Sequence, residues 1–189
     1  MHPFRQYIEQ YNSLPPSDWE RIAACLERRE WKKGSILLEE GKICQHIYFV
    51  ESGLLRYYRW KDGLDITKFF TIAPYCFTSQ RSFNSRQPAQ ESIEALEDCV
   101  IWQMKRRDAL ALLEMLSWSE FVRKLVQEVQ FFTEEILQEL QSETAEDRYK
   151  KMLAQADPLL QRVPLKHLAS YLGIAPQSLS RIRRSLQRK

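Results

Sequence analysis

The residues best supplied for recognition chemistry lie in one short stretch, "YLGIAPQSLSRIRR", residues 171–184. Gln177, Ser178 and Arg181 are spaced so that they share one face at the start of a helix opening at Pro176. Arginine can donate two hydrogen bonds to guanine O6 and N7, glutamine can read adenine, and serine is permissive. Lys166, Arg183 and Arg184 are cations suited to phosphates, which give affinity rather than sequence choice. His167 beside them reads equally as a helix-surface residue or a phosphate contact.

Charge points the same way. From Gln161 to Lys189 there are seven basic residues, Arg188 and Lys189 among them, and no acidic one; the other 21 basic residues face all 25 acidic ones, so +3 overall divides into −4 and +7. The basic tail is expected to meet a polyanion. Metal chemistry is poorly supplied: Cys25, Cys44, Cys76 and Cys99 stand far apart with no C-x-x-C pair, and His2, His46 and His167 are scattered too. Buried reduced thiols are expected, with no metal, Fe–S cluster or haem. No apolar run reaches the roughly 20 residues of a membrane span, and the start lacks the apolar core of a secretory signal, so the expected location is the cytoplasm.

The elements that must position these side chains can be read outward from the same stretch. Gly173 and Pro176 break what would otherwise be one helix. Leu165, Leu168, Ala169 and Leu172 line a first helix, Gly173 ends it in the left-handed conformation, Ile174 tucks inward, and Leu179, Ile182 and Leu186 carry the core face onward. Small Ala169 permits close crossing. The pattern is that of a helix-turn-helix, whose second helix enters the major groove.

Upstream, "TAEDRYKKMLAQA" reads as a helix capped by Thr144 with Asp147 three later, ending at Asp157-Pro158. The stretch from Lys105 to Gln141 contains no Gly or Pro and reads as helix, with a break near Ser117. Within it Trp118, Val122, Leu125, Val129, Phe132 and Ile136 recur at spacings of 4, 3, 4, 3 and 4, a coiled-coil-like seam. Phe121, Val126, Phe131, Leu137 and Leu140 add apolar surface, so one side is free to pack on the preceding domain and the other on a second copy in a two-fold dimer. From about Glu30 to Met104 short apolar segments ("SILLEE", "HIYFV", "LLRYYRW", "LDITKFF", "CVIWQM") are punctuated by Gly34, Gly41, Gly53 and Gly63, the pattern of an antiparallel β-roll or sandwich. The first stretch, Phe4 to Leu26, reads as helical, with Ser17 or Asp18 as a cap.

These residues resemble the Crp/Fnr family of bacterial transcription factors (cyclic AMP receptor protein, fumarate-nitrate regulator) across nearly the whole chain. "WKKGSILLEEGKICQHIYFVESGLLRYYR", the long helix and "ASYLGIAPQSLSRIRR" follow the order of that family's parts. The resemblance implies an α+β fold: an N-terminal antiparallel β-roll of the cyclic-nucleotide-binding type (a double-stranded β-helix), a long dimerisation helix and a C-terminal helix-turn-helix domain. The expected domains are 1–116, 117–141 and 142–189. It further implies a homodimer on palindromic double-stranded DNA, with RNA polymerase as a further candidate partner, no membrane and no enzymatic activity.

Two departures matter. The family's cyclic-nucleotide binders carry a Glu and an Arg-Ser or Arg-Thr pair in a phosphate cassette; alignment on "SIEAL" puts Ala89 and Gln90 at the pair, and no acidic residue lies between Tyr75 and Gln90. The base-facing hydroxyl on the long helix aligns with Thr133, followed by Glu134. Arg81 or Arg86 would have to replace the lost cation. The candidate effector pocket is thus Arg81, Arg86, Ala89, Gln90 and Thr133, for a small molecule other than cyclic AMP. Second, only "QRK" follows Leu186, so the DNA-binding domain is expected to lack most of the family's β-hairpin wing. The alternatives are a small-ligand sensor on this fold that does not touch DNA, and a β-barrel metal enzyme, which His46 alone in the β region does not favour.

Overall fold

The structure is a computed structural model that describes residues 1–155 and 157–187. Its contacts divide it into two compact units: residues 1–57 with 70–130, and residues 58–69 with those from 131 onward.

The first unit is the β-roll with its helical cover. Eight strands run β1 Leu26–Trp31, β2 Ile36–Leu38, β3 His46–Ser52, β4 Leu54–Lys61, β5 Leu64–Ile72, β6 Tyr75–Phe77, β7 Ser92–Ala95 and β8 Cys99–Lys105, in two four-stranded sheets ordered β1-β8-β3-β6 and β2-β7-β4-β5. The pairing between β1 and β8 is antiparallel and in register from Leu26 opposite Met104 to Trp31 opposite Cys99. A bulge in β3 between Val50 and Ser52 precedes Gly53, whose φ of 113° is closed to most side chains.

The N-terminal stretch holds two helices, α1 Pro3–Glu9 and α2 Pro16–Ala23, and Pro16 stands at the first position of the second, where its missing N–H is harmless. The expected cap at Ser17 or Asp18 is corrected: the N-cap is Pro15, two residues before Ser17, with Pro16 in the first turn of α2. Asp18 instead accepts a 2.6 Å hydrogen bond from Ser117 Oγ. Phe4 stacks on Phe49 at 4.7 Å and meets Phe121 edge-on at 6.0 Å, which anchors α1 to the roll. Tyr11 donates to Glu128 at 2.6 Å; burial first, then this carboxylate, pushes its phenol up to about 12.

After α3 (Gln80–Ser85) and α4 (Arg106–Ala111), a 3-10 turn over Leu112–Glu114 leads into α5, Leu116–Ser142. The helical break expected near Ser117 therefore lies a few residues earlier. The second unit holds the tip of the β4–β5 hairpin, the last part of α5, and α6 Ala145–Ala154, α7 Leu159–Arg162, α8 Leu165–Leu172 and α9 Pro176–Gln187. Thr144 and Asp147 form the expected capping box of α6, but that helix ends at Ala154, short of Asp157. Leu168, Ala169, Leu172 and Leu179 are buried at this unit's centre.

Candidate nucleic-acid interface and effector pocket

The two helices α8 and α9 meet as their sequence demands. Gly173 is left-handed (φ 74°, ψ 25°), its N–H donates to Ser170 O at 3.0 Å, and the N–H of Ile174 donates to Ala169 O at 3.0 Å. That pair of bonds is the Schellman closure of a helix end. A Cβ at Gly173 would meet nothing within 4 Å, so the backbone angle alone calls for glycine here. Arg148 of α6 donates to Leu172 O at 2.8 Å and satisfies a further carbonyl of α8. Ala169 is fully buried, and Pro176 opens α9.

With Leu179 buried and Ile182 and Leu186 half-buried, the opposite face of α9 presents Gln177 and Arg181 to solvent, with Ser178 half-buried beside them. Lys166 and Arg184 are exposed. Among the described residues, none forms an ion pair with Lys166, Arg181 or Arg184. Arg183 differs from its neighbours: its guanidinium lies 5.7 Å from the centroid of the Tyr149 ring, and it lines an open cavity of about 510 Å³ with Leu160 and Leu186, toward the packed side of the helix. His167 is buried rather than at the helix surface. Arg188 and Lys189 lie outside the described residues.

The cassette region lies in the first unit. Ala89 is buried, and its backbone is engaged, the N–H donating to Lys42 O at 2.8 Å and the carbonyl accepting from Gly41 N at 2.9 Å. Arg81 donates to Gln90 Oε1 at 3.0 Å, and Arg86, in the left-handed region at φ 61°, donates to Gln45 Oε1 at 2.8 Å. Both arginines are exposed and tied to surface amides. Arg81 and Gln90 thus come together, whereas Arg86 turns to a different partner. Thr133 is an exposed residue of α5 in the other unit.

Sequence reasoning missed the polar groups deeper in the roll. Ser79 is buried and donates to Glu91 Oε1 at 2.6 Å; Arg56, 2 % exposed, bonds Glu94 Oε1 at 2.6 Å. Tyr48, Tyr57 and Phe77 are buried together, with Phe77 stacked on Tyr48 at 5.1 Å and edge-on to Tyr57 at 5.9 Å. Complete burial drives the Tyr57 phenol well above its ordinary pKa. None of these pairs is close in sequence, so no local pattern announces them.

One seam residue is corrected. Trp118 is 1 % exposed, donates its indole N–H to Ala109 O at 3.0 Å and packs on Phe121 at 5.4 Å, so it belongs to the core of its own unit. Farther along α5, Val122, Leu125, Val129 and Ile136 are half-buried, and Val126, Phe131, Phe132, Leu137 and Leu140 are exposed. Cys44, Cys76 and Cys99 are buried free thiols and Cys25 is half-buried; burial pushes Cys76 up to about 12. Among the described residues, no three His, Cys, Asp or Glu side chains are grouped to hold a metal ion, and no helix is long and apolar enough to cross a membrane.

A two-sheet roll, a long helix and a bent helix pair follow one another along the chain, and the comparisons find the same fold in known proteins. Residues 28–115 match the cyclic nucleotide-binding domain family. Over nearly the whole chain the fold is similar to the catabolite activator protein of Thermus thermophilus (23 % identity, 94 % of this chain and 86 % of that one, TM-score 0.58). It is also similar to FixK2 of Bradyrhizobium japonicum (19 %, 86 % and 84 %, TM-score 0.71) and to a candidate Crp/Fnr-family transcriptional regulator from Eubacterium rectale (18 %, 92 % and 84 %, TM-score 0.74). The resemblance to the Crp/Fnr family read from the sequence stands, since the solved structures with this fold include regulators of that family.

Proposed function

We propose that the chain is a sequence-specific DNA-binding transcriptional regulator of the Crp/Fnr type that acts as a homodimer on a palindromic operator. The observation that carries this reading is the outward face of α9, where Gln177, Ser178 and Arg181 stand at the start of a helix flanked by Lys166 and Arg184, cations with no ion-pair partner among the described residues. Base reading is assigned to the first three residues and phosphate neutralisation to Lys166 and Arg184. Arg183, over the Tyr149 ring, supports α9 from behind.

The seam from Val122 to Ile136, with exposed Phe132, Leu137 and Leu140, is the proposed dimer contact. A two-fold dimer would set two reading helices about 34 Å apart, one turn of duplex DNA. On this reading residues 1–116 form the effector domain, 117–141 the dimer helix and 142–189 the DNA-binding domain. The effector is not cyclic AMP: the position of the phosphate-binding Arg is a buried alanine with its backbone already bonded, and Arg81 and Arg86 are held at the surface by amides.

Selection from a random DNA pool tests the reading. An enriched palindrome, bound as a dimer and weakened by salt, is expected; no enriched motif at any salt or ligand condition would leave the DNA-free sensor as the better account. Calorimetry with cyclic AMP should give no heat of binding.

A further inference from the structure

β5 is the last strand of its sheet, so one of its edges offers N–H and C=O groups with no strand beside them. Within the second unit one side chain of α8 meets two such groups. Ser170 Oγ accepts from the N–H of Thr67 at 2.9 Å and donates to the carbonyl of Asp65 at 3.0 Å. Residues 65 and 67 turn their backbone groups to the same side of a strand, so a single hydroxyl, which is both donor and acceptor, matches the edge as a neighbouring strand would. Thr67 is buried, and Ser170 is half-buried. The tip that carries this edge is tight: Asp62 (φ 53°) and Gly63 (φ 77°) are both left-handed, the two-residue turn that suits a twisted hairpin.

Serine in the middle of a helix is less favourable than alanine, and it commonly bonds back to its own helix. Here it bonds outward, to strand residues more than 100 positions earlier. Its place in α8 matters. It lies three residues before Gly173 and next to fully buried Ala169, where the direction of α9 is set. Arg148 fastens the end of α8 through Leu172 O, and Ser170 fastens it on a second side.

We infer that Ser170 is a positioning residue for the reading helix, and that the hairpin tip of residues 58–69 is a working part of the DNA-binding unit. The inference rests on the DNA-binding reading above.

Ser170→Ala and Ser170→Thr in the full chain test it, with two readouts. Hydrogen exchange, which needs no DNA, should show the Thr67 amide exchanging roughly tenfold faster in Ser170→Ala while amides of α6 keep their protection. Binding to the selected operator should weaken roughly three- to tenfold in that variant, the cost of a lost hydrogen bond expressed at the helix, with an unchanged salt slope because no phosphate contact is removed. Ser170→Thr, which keeps the hydroxyl, should restore both. Unchanged exchange at Thr67, or operator binding equal to wild type in Ser170→Ala, would overturn the inference, as would failure of the threonine to restore binding. A wild-type chain that selects no DNA would instead overturn the DNA reading and the positioning role with it, while exchange at Thr67 would still decide the fastening.

Discussion

The arginines of the roll and those of α9 are the same side chain put to opposite uses. Arg56 is 2 % exposed and held against Glu94, while Arg81 and Arg86 reach the surface and are bonded to Gln90 and Gln45. Arg181 and Arg184 are exposed with no ion-pair partner among the described residues. Burial obliges a charge to carry its partner with it, so Arg56 stabilises the fold and is unavailable to anything else. A cation that the chain leaves without a carboxylate is available to a polyanion from outside. The amide-bonded arginines fall between these cases: each keeps its charge and gives one hydrogen bond to a neutral amide.

Substitutions separate the two groups. Arg56→Leu strands Glu94 in a mostly buried position and should cost about 3–5 kcal/mol in denaturant melts; replacing Glu94 by leucine as well should recover much of it. Gly53→Ala comes next. Its Cβ would stand 2.3 Å from Cys99 Sγ at a φ of 113°, and strain plus overpacking should cost about 3 kcal/mol. By contrast Gly173→Ala has open space and should cost only the left-handed backbone penalty of roughly 1–2 kcal/mol. Arg181→Ala should leave the melt unchanged and weaken operator binding about tenfold to a hundredfold, with relaxed choice at one base pair, read by fluorescence anisotropy on point-substituted operators. Lys166→Ala and Arg184→Ala should weaken all sequences alike and lower the salt slope by about one each. Arg81→Ala and Arg86→Ala should match wild type in both assays; a loss of operator affinity in either would erase the contrast.

Local chemistry was the legible part of this sequence. Thr144 with Asp147, Gly173 and Pro176 each act within a few residues of themselves, and each sits where its conformational preference places it. Five strands were visible through their β-branched and aromatic runs. β1, "LERREW", was not, because its four central residues are exposed and its apolar ends alone make no alternation. The start of α2 was legible beside Pro15-Pro16, though the cap expected at Ser17 or Asp18 lies at Pro15 instead. Trp118 fitted the heptad seam by number, yet heptad spacing cannot tell a partner helix from the protein's own core. Ser170, Ser79 and Arg56 were illegible for a different reason: their partners are set by tertiary approach rather than by spacing.

The turn at Gly53 imposes a one-way constraint on how this sequence can drift. Cys99 can be exchanged for something smaller without disturbing its neighbour. Even then a Cβ at position 53 would lie 3.0 Å from the Cα of residue 99, so no change of that side chain makes room for it. Descendants of this chain are therefore free to lose the thiol and keep the roll, but any lineage that replaces the glycine has to rebuild the backbone between β3 and β4.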